Sequence, residues 1–151
     1  MAKVLIIAEA GVNHNGDINL ARQLVDKAKE AGADIIKFQT FNLDSIVSKF
    51  AEMADYQKDN MGMVESQKEM LKKITLPYED FCELYKYCKN KDIQFLSTPF
   101  DIESIHFLND MVSFWKIPSG EVTNYPYLVE IAKTGKPVVM STGMCELQEI
   151  D

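Results

Sequence analysis

Nowhere in these 151 residues does an apolar run approach the ~18 positions needed to cross a bilayer. The opening "MAKVLIIAEAG" holds one lysine and an apolar run of about five, too short for the core of a secretory signal, so it reads as a first strand. No membrane partner is expected. Cysteine is scarce: Cys82, Cys88 and Cys145 are odd in number and form no CxxC. Neither a disulfide framework nor a zinc spacing is available to them, and a reducing cytoplasm is the plain expectation. The glycine-rich GxGxxG of a dinucleotide fold is also missing, and "AEAGVNHNG" stands where it would fall. Basic residues are outnumbered, 16 to 23, for a net charge of −7, so nucleic acid is not an expected partner. A small anion remains open, because a few local cations decide that.

What is present is a repeated alternation. Val4–Ala8, Ile35–Phe38, Ile93–Leu96, Phe114–Ile117 and Pro137–Met140 are short apolar runs with the length of buried strands. Between them the apolar spacing predicts helices over 17–31, 77–89, 102–111 and 127–133, the first closed by Gly32 at its C′ position. Residues 44–76 form a polar, helix-prone insertion whose lysine-rich end, Lys68 to Lys73, suits a solvated helix face. Strands alternating with helices imply βαβ units and a parallel sheet. The expected class is therefore α/β, as the first five units of a TIM-type (β/α)8 barrel. Such a barrel needs eight strands and roughly 250 residues.

In parallel α/β folds chemistry gathers at the carboxyl ends of the strands. Here every predicted strand ends in polar groups: Glu9 with "NHNG", Lys37 with Gln39-Thr40, Ser97-Thr98, then Lys116, Ser119 and Glu121, then Ser141-Thr142-Gly143. Each has a plain structural alternative. Lys37 alternates with Ile36 and Phe38 and suits a solvated position, and Ser97-Thr98 before Pro99 suits a helix cap. Glu9, inside "IIAEAG", is expected to be buried and to need a partner. Together, two lysines and three Ser/Thr clusters suit a small polyanion such as a phosphate that also carries a carboxylate. Glu121 would repel that ligand, so it is better placed to act on a second, neutral substrate as acceptor or proton-transfer group. His14 is open between ordering its loop, contacting substrate and serving a turn; His106 is expected at a surface or in packing. The two histidines make no metal site.

"AEAGVNHNG", "KFQTF", "STPFD", "KIPSGE", "NYPYL" and "VMSTGM", in that order, resemble the N-terminal barrel of the sialic acid synthase family, nearest its bacterial N-acetylneuraminate synthases, with the legionaminate synthases as near relatives. The resemblance covers essentially the whole chain and implies condensation of phosphoenolpyruvate with an N-acetylated aldehyde sugar, typically N-acetylmannosamine, to a nine-carbon keto acid and phosphate. By matching positions it implies that Lys37, Thr98, Lys116, Ser119 and Ser141 bind phosphoenolpyruvate. Glu121 and Glu9 would be the catalytic acids, and Gln39, Tyr56 and Asn60 would reach the sugar. It further implies a divalent metal, Mn or Mg, with ligands outside these residues, a homodimer, and a C-terminal antifreeze-like domain beyond this chain. Two rival expectations stand beside it. One is a half-barrel that binds phosphate without turnover. The other is an aldolase using Lys37 or Lys116 as a Schiff base.

Overall fold

The computed structural model describes residues 4–46 and 67–150. Among these, five strands alternate with helices: β1 (Ile7–Gly11), α1 (Ile18–Glu30), β2 (Ile35–Thr40), α2 (Leu43–Ile46), α3 (Gln67–Ile74), α4 (Tyr78–Asn90) and β3 (Gln94–Pro99). Then follow α5 (Ile102–Leu108), β4 (Trp115–Ile117), a 3-10 turn (Ser119–Glu121), α6 (Tyr125–Lys133), β5 (Val138–Met140) and α7 (Leu147–Ile150). All the pairings are parallel. β1, β2 and β3 form one ladder and β4 and β5 a second, with β4 lying alongside β3.

The helices begin and end where side chains can satisfy their free backbone groups. Asp17 caps α1 by accepting the Asn19 N–H at 2.7 Å, and Ala21, Val25 and Ala28 bury its inner face. Gly32, at φ +78, receives the chain as it leaves α1, a left-handed position that costs glycine little. Asn124 caps α6 through the Tyr127 N–H, with Pro126 in the first turn. The core lies between the ladder and these helices. Phe38 stacks on Phe95 at 5.9 Å, and Tyr85 of α4 meets Phe95 edge-on at the same distance. One face of β2 and β3 is thus committed to α4. Strand alternation sends Lys37, Gln39 and Thr98 to the opposite face. Trp115 is fully buried and donates to Thr134 Oγ1 at 2.8 Å, which ties β4 to the end of α6 and leaves Lys116 on the other side.

Two expectations shift. The first strand is Ile7–Gly11, not Val4–Ala8: the Ile6 carbonyl accepts the Asp34 and Ile35 N–H groups and the Asp34 carboxylate takes the Ile6 N–H, so pairing starts at residue 6. Val4, Leu5 and Ile6 stay exposed. The third strand runs on to Pro99, which places Ser97 and Thr98 inside the ladder. β5 is 40–47% exposed at all three residues, so neither of its faces is covered.

Candidate active site at the strand ends

Register decides which side chains meet. Glu9 pairs with Lys37 across β1 and β2, and Gln39 pairs with Thr98 across β2 and β3. Directly opposed residues in a sheet share a face, so these four form one patch. Within it Glu9 and Lys37 make an ion pair. Glu9 is therefore partnered as expected but not buried, with 48% of its side chain exposed against 13% for Lys37. After this pair the register shifts between Glu9 and Gly11. Gly11 sits at φ +54, and a Cβ there would stand 3.4 Å from Glu9 Oε1 and 3.5 Å from Gln39 Nε2. A bare backbone at this position lets both side chains close over it.

Lys116 joins the same patch from β4. Its proton affinity is lowered, first by burial and next by the charge of Lys37, with Glu9 acting in the opposite direction. Two ammonium groups thus share one carboxylate, leaving the patch with a net positive charge. Lys116 Nζ donates to the Ile117 carbonyl at 2.7 Å, and the Ser141 N–H donates to that carbonyl at 3.0 Å. The single acceptor brings Lys116 and Ser141 together. Ser119 opens the 3-10 turn two residues on, and its carbonyl receives the Cys145 thiol at 3.5 Å. Thr98 Oγ1 is buried and has no hydrogen-bond partner. A buried hydroxyl left unpaired costs about 1–3 kcal/mol, and here it lies on the face that carries Lys37. The patch has the composition of an anion site, with donors, cations and one hydroxyl in want of a partner.

Glu121 stands apart from the lysines. Its Oε2 accepts from Asn124 Nδ2 at 2.6 Å, and both residues line a cleft of about 840 Å³. Leu71, Phe100 and Ile46 supply apolar walls, while Asp101 and Glu103 add further carboxylates. Asp101 is buried, and its carboxylate accepts the Asn42 and Ser104 N–H groups at 2.7 Å each and the Ser104 hydroxyl at 2.9 Å. It is Asp101 that caps α5, so the capping role open to Ser97-Thr98 is not theirs. Ser97 instead hydrogen-bonds Thr40 Oγ1 at 2.7 Å inside the core. Tyr127 donates to the Pro99 carbonyl at 2.9 Å. Its hydroxyl pKa is pushed far up, first by burial and then by the charges of Glu121 and Asp101. Asp101, Asn124 and Tyr127 were not among the expected site residues. For Asp101 the signal was legible, an Asp three residues before Ser104 at a helix start.

Lys37 is mostly covered, so the solvated alternative for it fails. His14 is buried and orders its loop, accepting the Gly16 N–H at 3.2 Å. His106 is exposed, with Nε2 3.4 Å from Glu130. Tyr56 and Asn60 lie outside the described residues. Among the described residues no three His, Cys, Asp or Glu side chains gather as a metal site. Glu9, the carboxylate in the lysine patch, is engaged by Lys37, so these residues do not fit a divalent ion by themselves.

The parallel α/β sheet carries cations, hydroxyls and a separate carboxylate at its strand ends, where chemistry gathers in such folds. Residues 24–151 match the model of the NeuB family, and the chain belongs to that family. It is 53% identical over 146 residues to the N,N'-diacetyllegionaminic acid synthase of Legionella pneumophila, covering 96% of this chain and 41% of that protein. It is 49% identical over 152 residues to the synthase of the same name from Campylobacter jejuni, covering 100% of this chain and 46% of that protein. Among solved structures, the N-acetylneuraminic acid (sialic acid) synthetase of Leptospira borgpetersenii, in complex with citrate, superposes with a TM-score of 0.79 at 33% identity, over 99% of this chain and 48% of that one. The chain thus spans less than half the length of these relatives.

Proposed function

We propose that these residues form the anion-binding part of an enzyme that condenses phosphoenolpyruvate with an N-acylated aldehyde sugar, giving a nine-carbon keto acid and phosphate. The observation that carries this reading is the convergence of Lys37, Lys116 and the unpartnered Thr98 hydroxyl on one face, apart from Glu121 and its cleft. Lys37 and Lys116 hold the phosphate and carboxylate charges, while Thr98, Ser119 and Ser141 donate hydrogen bonds. Anchored at both anionic ends, the enol is presented to the sugar aldehyde. A bond forms between the enol carbon and the aldehyde carbon, and the carbonyl oxygen takes up a proton. Water adds to the cationic carbon left behind, and the tetrahedral centre then releases inorganic phosphate. Glu121, oriented by Asn124, accepts the proton of that water or a sugar hydroxyl. Glu9 and Gln39 belong to the lysine patch, and in this reading Gln39, Tyr56 and Asn60 reach the sugar while Glu9 faces it or the attacking water.

Two legionaminic acid synthases stand at 49% and 53% identity and the sialic acid synthetase at 33%, which supports a 2,4-diacetamido-6-deoxy sugar as the first substrate to test. N-Acetylmannosamine is the second. The uncovered faces of β5 and the exposed Val4–Ile6 support a continuation of the sheet into the closed (β/α)8 barrel, since a strand edge with apolar faces needs cover. Within that reading Mn or Mg takes its ligands from other parts of the protein. The intact enzyme is proposed to be a cytoplasmic homodimer. No helix among the described residues is long and apolar enough to cross a membrane. The test is the mass of the native polypeptide, followed by phosphate release from phosphoenolpyruvate with each sugar in the presence of Mn. Release that depends on the sugar carries the reading. Binding without release, at full native mass, sinks it in favour of a phosphate-binding role.

A further inference from the structure

The loop after β1 reverses through two consecutive left-handed residues, Asn15 at φ 49 and Gly16 at φ 72. His14 holds that reversal from inside. It is 1% exposed, lies 6.1 Å from Phe38 ring to ring, and accepts the Gly16 N–H on Nδ1. With Nδ1 as acceptor, the ring proton belongs on Nε2, which is buried without a partner. Burial keeps the ring neutral.

What Gly16 touches is α3. A Cβ at Gly16 would sit 2.7 Å from the Lys73 carbonyl oxygen and 3.4 Å from that of Thr75. The last turn of α3 and its exit are therefore seated on bare backbone. Thr75 Oγ1 in turn donates to the Leu71 carbonyl at 2.6 Å, and Leu71 lines the cleft that holds Glu121 and Asn124. A continuous chain of contacts runs from a buried histidine beside β2 to the wall facing Glu121.

We propose that His14 and Gly16 form a latch that fixes α3, and that His14 is a positioning residue for the amino-sugar half of the reaction. The role in sugar binding rests on the functional reading above, whereas the latch itself does not. In the intact protein, His14→Ala removes the acceptor, and His14→Asn restores an oxygen near the place of Nδ1 while still lacking the ring. The expected result is faster amide exchange across residues 67–76 in His14→Ala, largely reversed in His14→Asn. The KM for the sugar should rise about tenfold in His14→Ala, as displacement of a substrate-positioning wall requires, with that for phosphoenolpyruvate within about twofold. Gly16→Ala should reproduce the exchange effect more strongly if it folds. Unchanged exchange in His14→Ala, or equal behaviour of the Ala and Asn variants, overturns the latch. Equal rises in both KM values overturn the positioning role. If the wild type releases no phosphate with any sugar, the functional reading fails alone, and the exchange comparison still decides the latch.

Discussion

The lysine patch and the neighbouring cleft are built from the same strand ends yet carry opposite charge. Lys37 and Lys116 share Glu9 on one side, while Glu121, Asp101 and Glu103 crowd the other. Two of the cleft carboxylates are committed differently. Asp101 is saturated by three donors and serves the backbone, whereas Glu121 has only the Asn124 amide and keeps lone pairs facing the cleft. Sorting by sign on adjacent surfaces suits two substrates of different charge brought edge to edge, since neither region alone would accept both.

The division between the two regions rests most heavily on Glu121. Glu121→Gln keeps the Asn124 contact through the amide oxygen but removes the base, so kcat should fall by about 10²–10⁴ with phosphoenolpyruvate affinity nearly unchanged. Loss of affinity in parallel would merge the two regions into one. Lys116→Met should do the reverse, weakening phosphoenolpyruvate by about 10²-fold, in line with the 2–5 kcal/mol lost when a hydrogen-bonded charge partner is removed. Isothermal titration of the intact protein reads both. The lowered proton affinity of Lys116 also suits that lysine to Schiff-base chemistry. Borohydride reduction with pyruvate should nonetheless trap no adduct on Lys116 or Lys37, and an adduct detected by mass would replace the condensation mechanism with an aldolase one.

Thr98→Val tests the lysine patch on a smaller scale. The swap preserves shape and removes a buried hydroxyl that has no partner within the protein. Stability should hold or rise slightly, while phosphoenolpyruvate binding weakens by about 10–10²-fold, the worth of one hydrogen bond to a charged group at about 1.5–3 kcal/mol. A destabilised variant with unchanged affinity would make Thr98 a packing residue.

Which parts were legible in the sequence follows from how local each signal is. The alternation of strands and helices was, because period-2 and 3.6 patterns and the caps at Asp17 and Gly32 are written in neighbouring residues. The convergence of Lys37, Thr98 and Lys116 was legible too, once parallel strands were granted, since parallel strands place their carboxyl ends together. The state of Glu9 was not: it is paired with Lys37 yet half exposed, and what covers a strand end is not written in its neighbouring residues. Tyr127 was out of reach for another reason. Its bond to the Pro99 carbonyl joins α6 to β3 across 28 positions, a distance at which no periodicity speaks. The strand run Val4–Ile6 was misread because hydrophobicity alone does not say whether a partner strand covers it.

The smallest predicted effect concerns pH and separates His14 from both charged regions. Burial lowers its pKa below the ordinary 6.5, so in the unfolded chain His14 takes up a proton at a higher pH than it does when folded. Between those two values the unfolded state binds more protons, and stability must fall as pH falls from above 6.5, levelling once the folded ring is also protonated. Thermal unfolding of the intact protein should therefore show a lower Tm at pH 5.5 than at pH 7.5. Carboxylates titrate below most of this window and His106 is shared by every variant, so the difference between wild type and His14→Asn isolates the buried ring. His14→Asn should lose part of the slope while starting from a lower Tm. An identical slope in the two proteins would mean that His14 is reached by protons without opening the loop, and the burial that ties it to Gly16 would then not hold in solution.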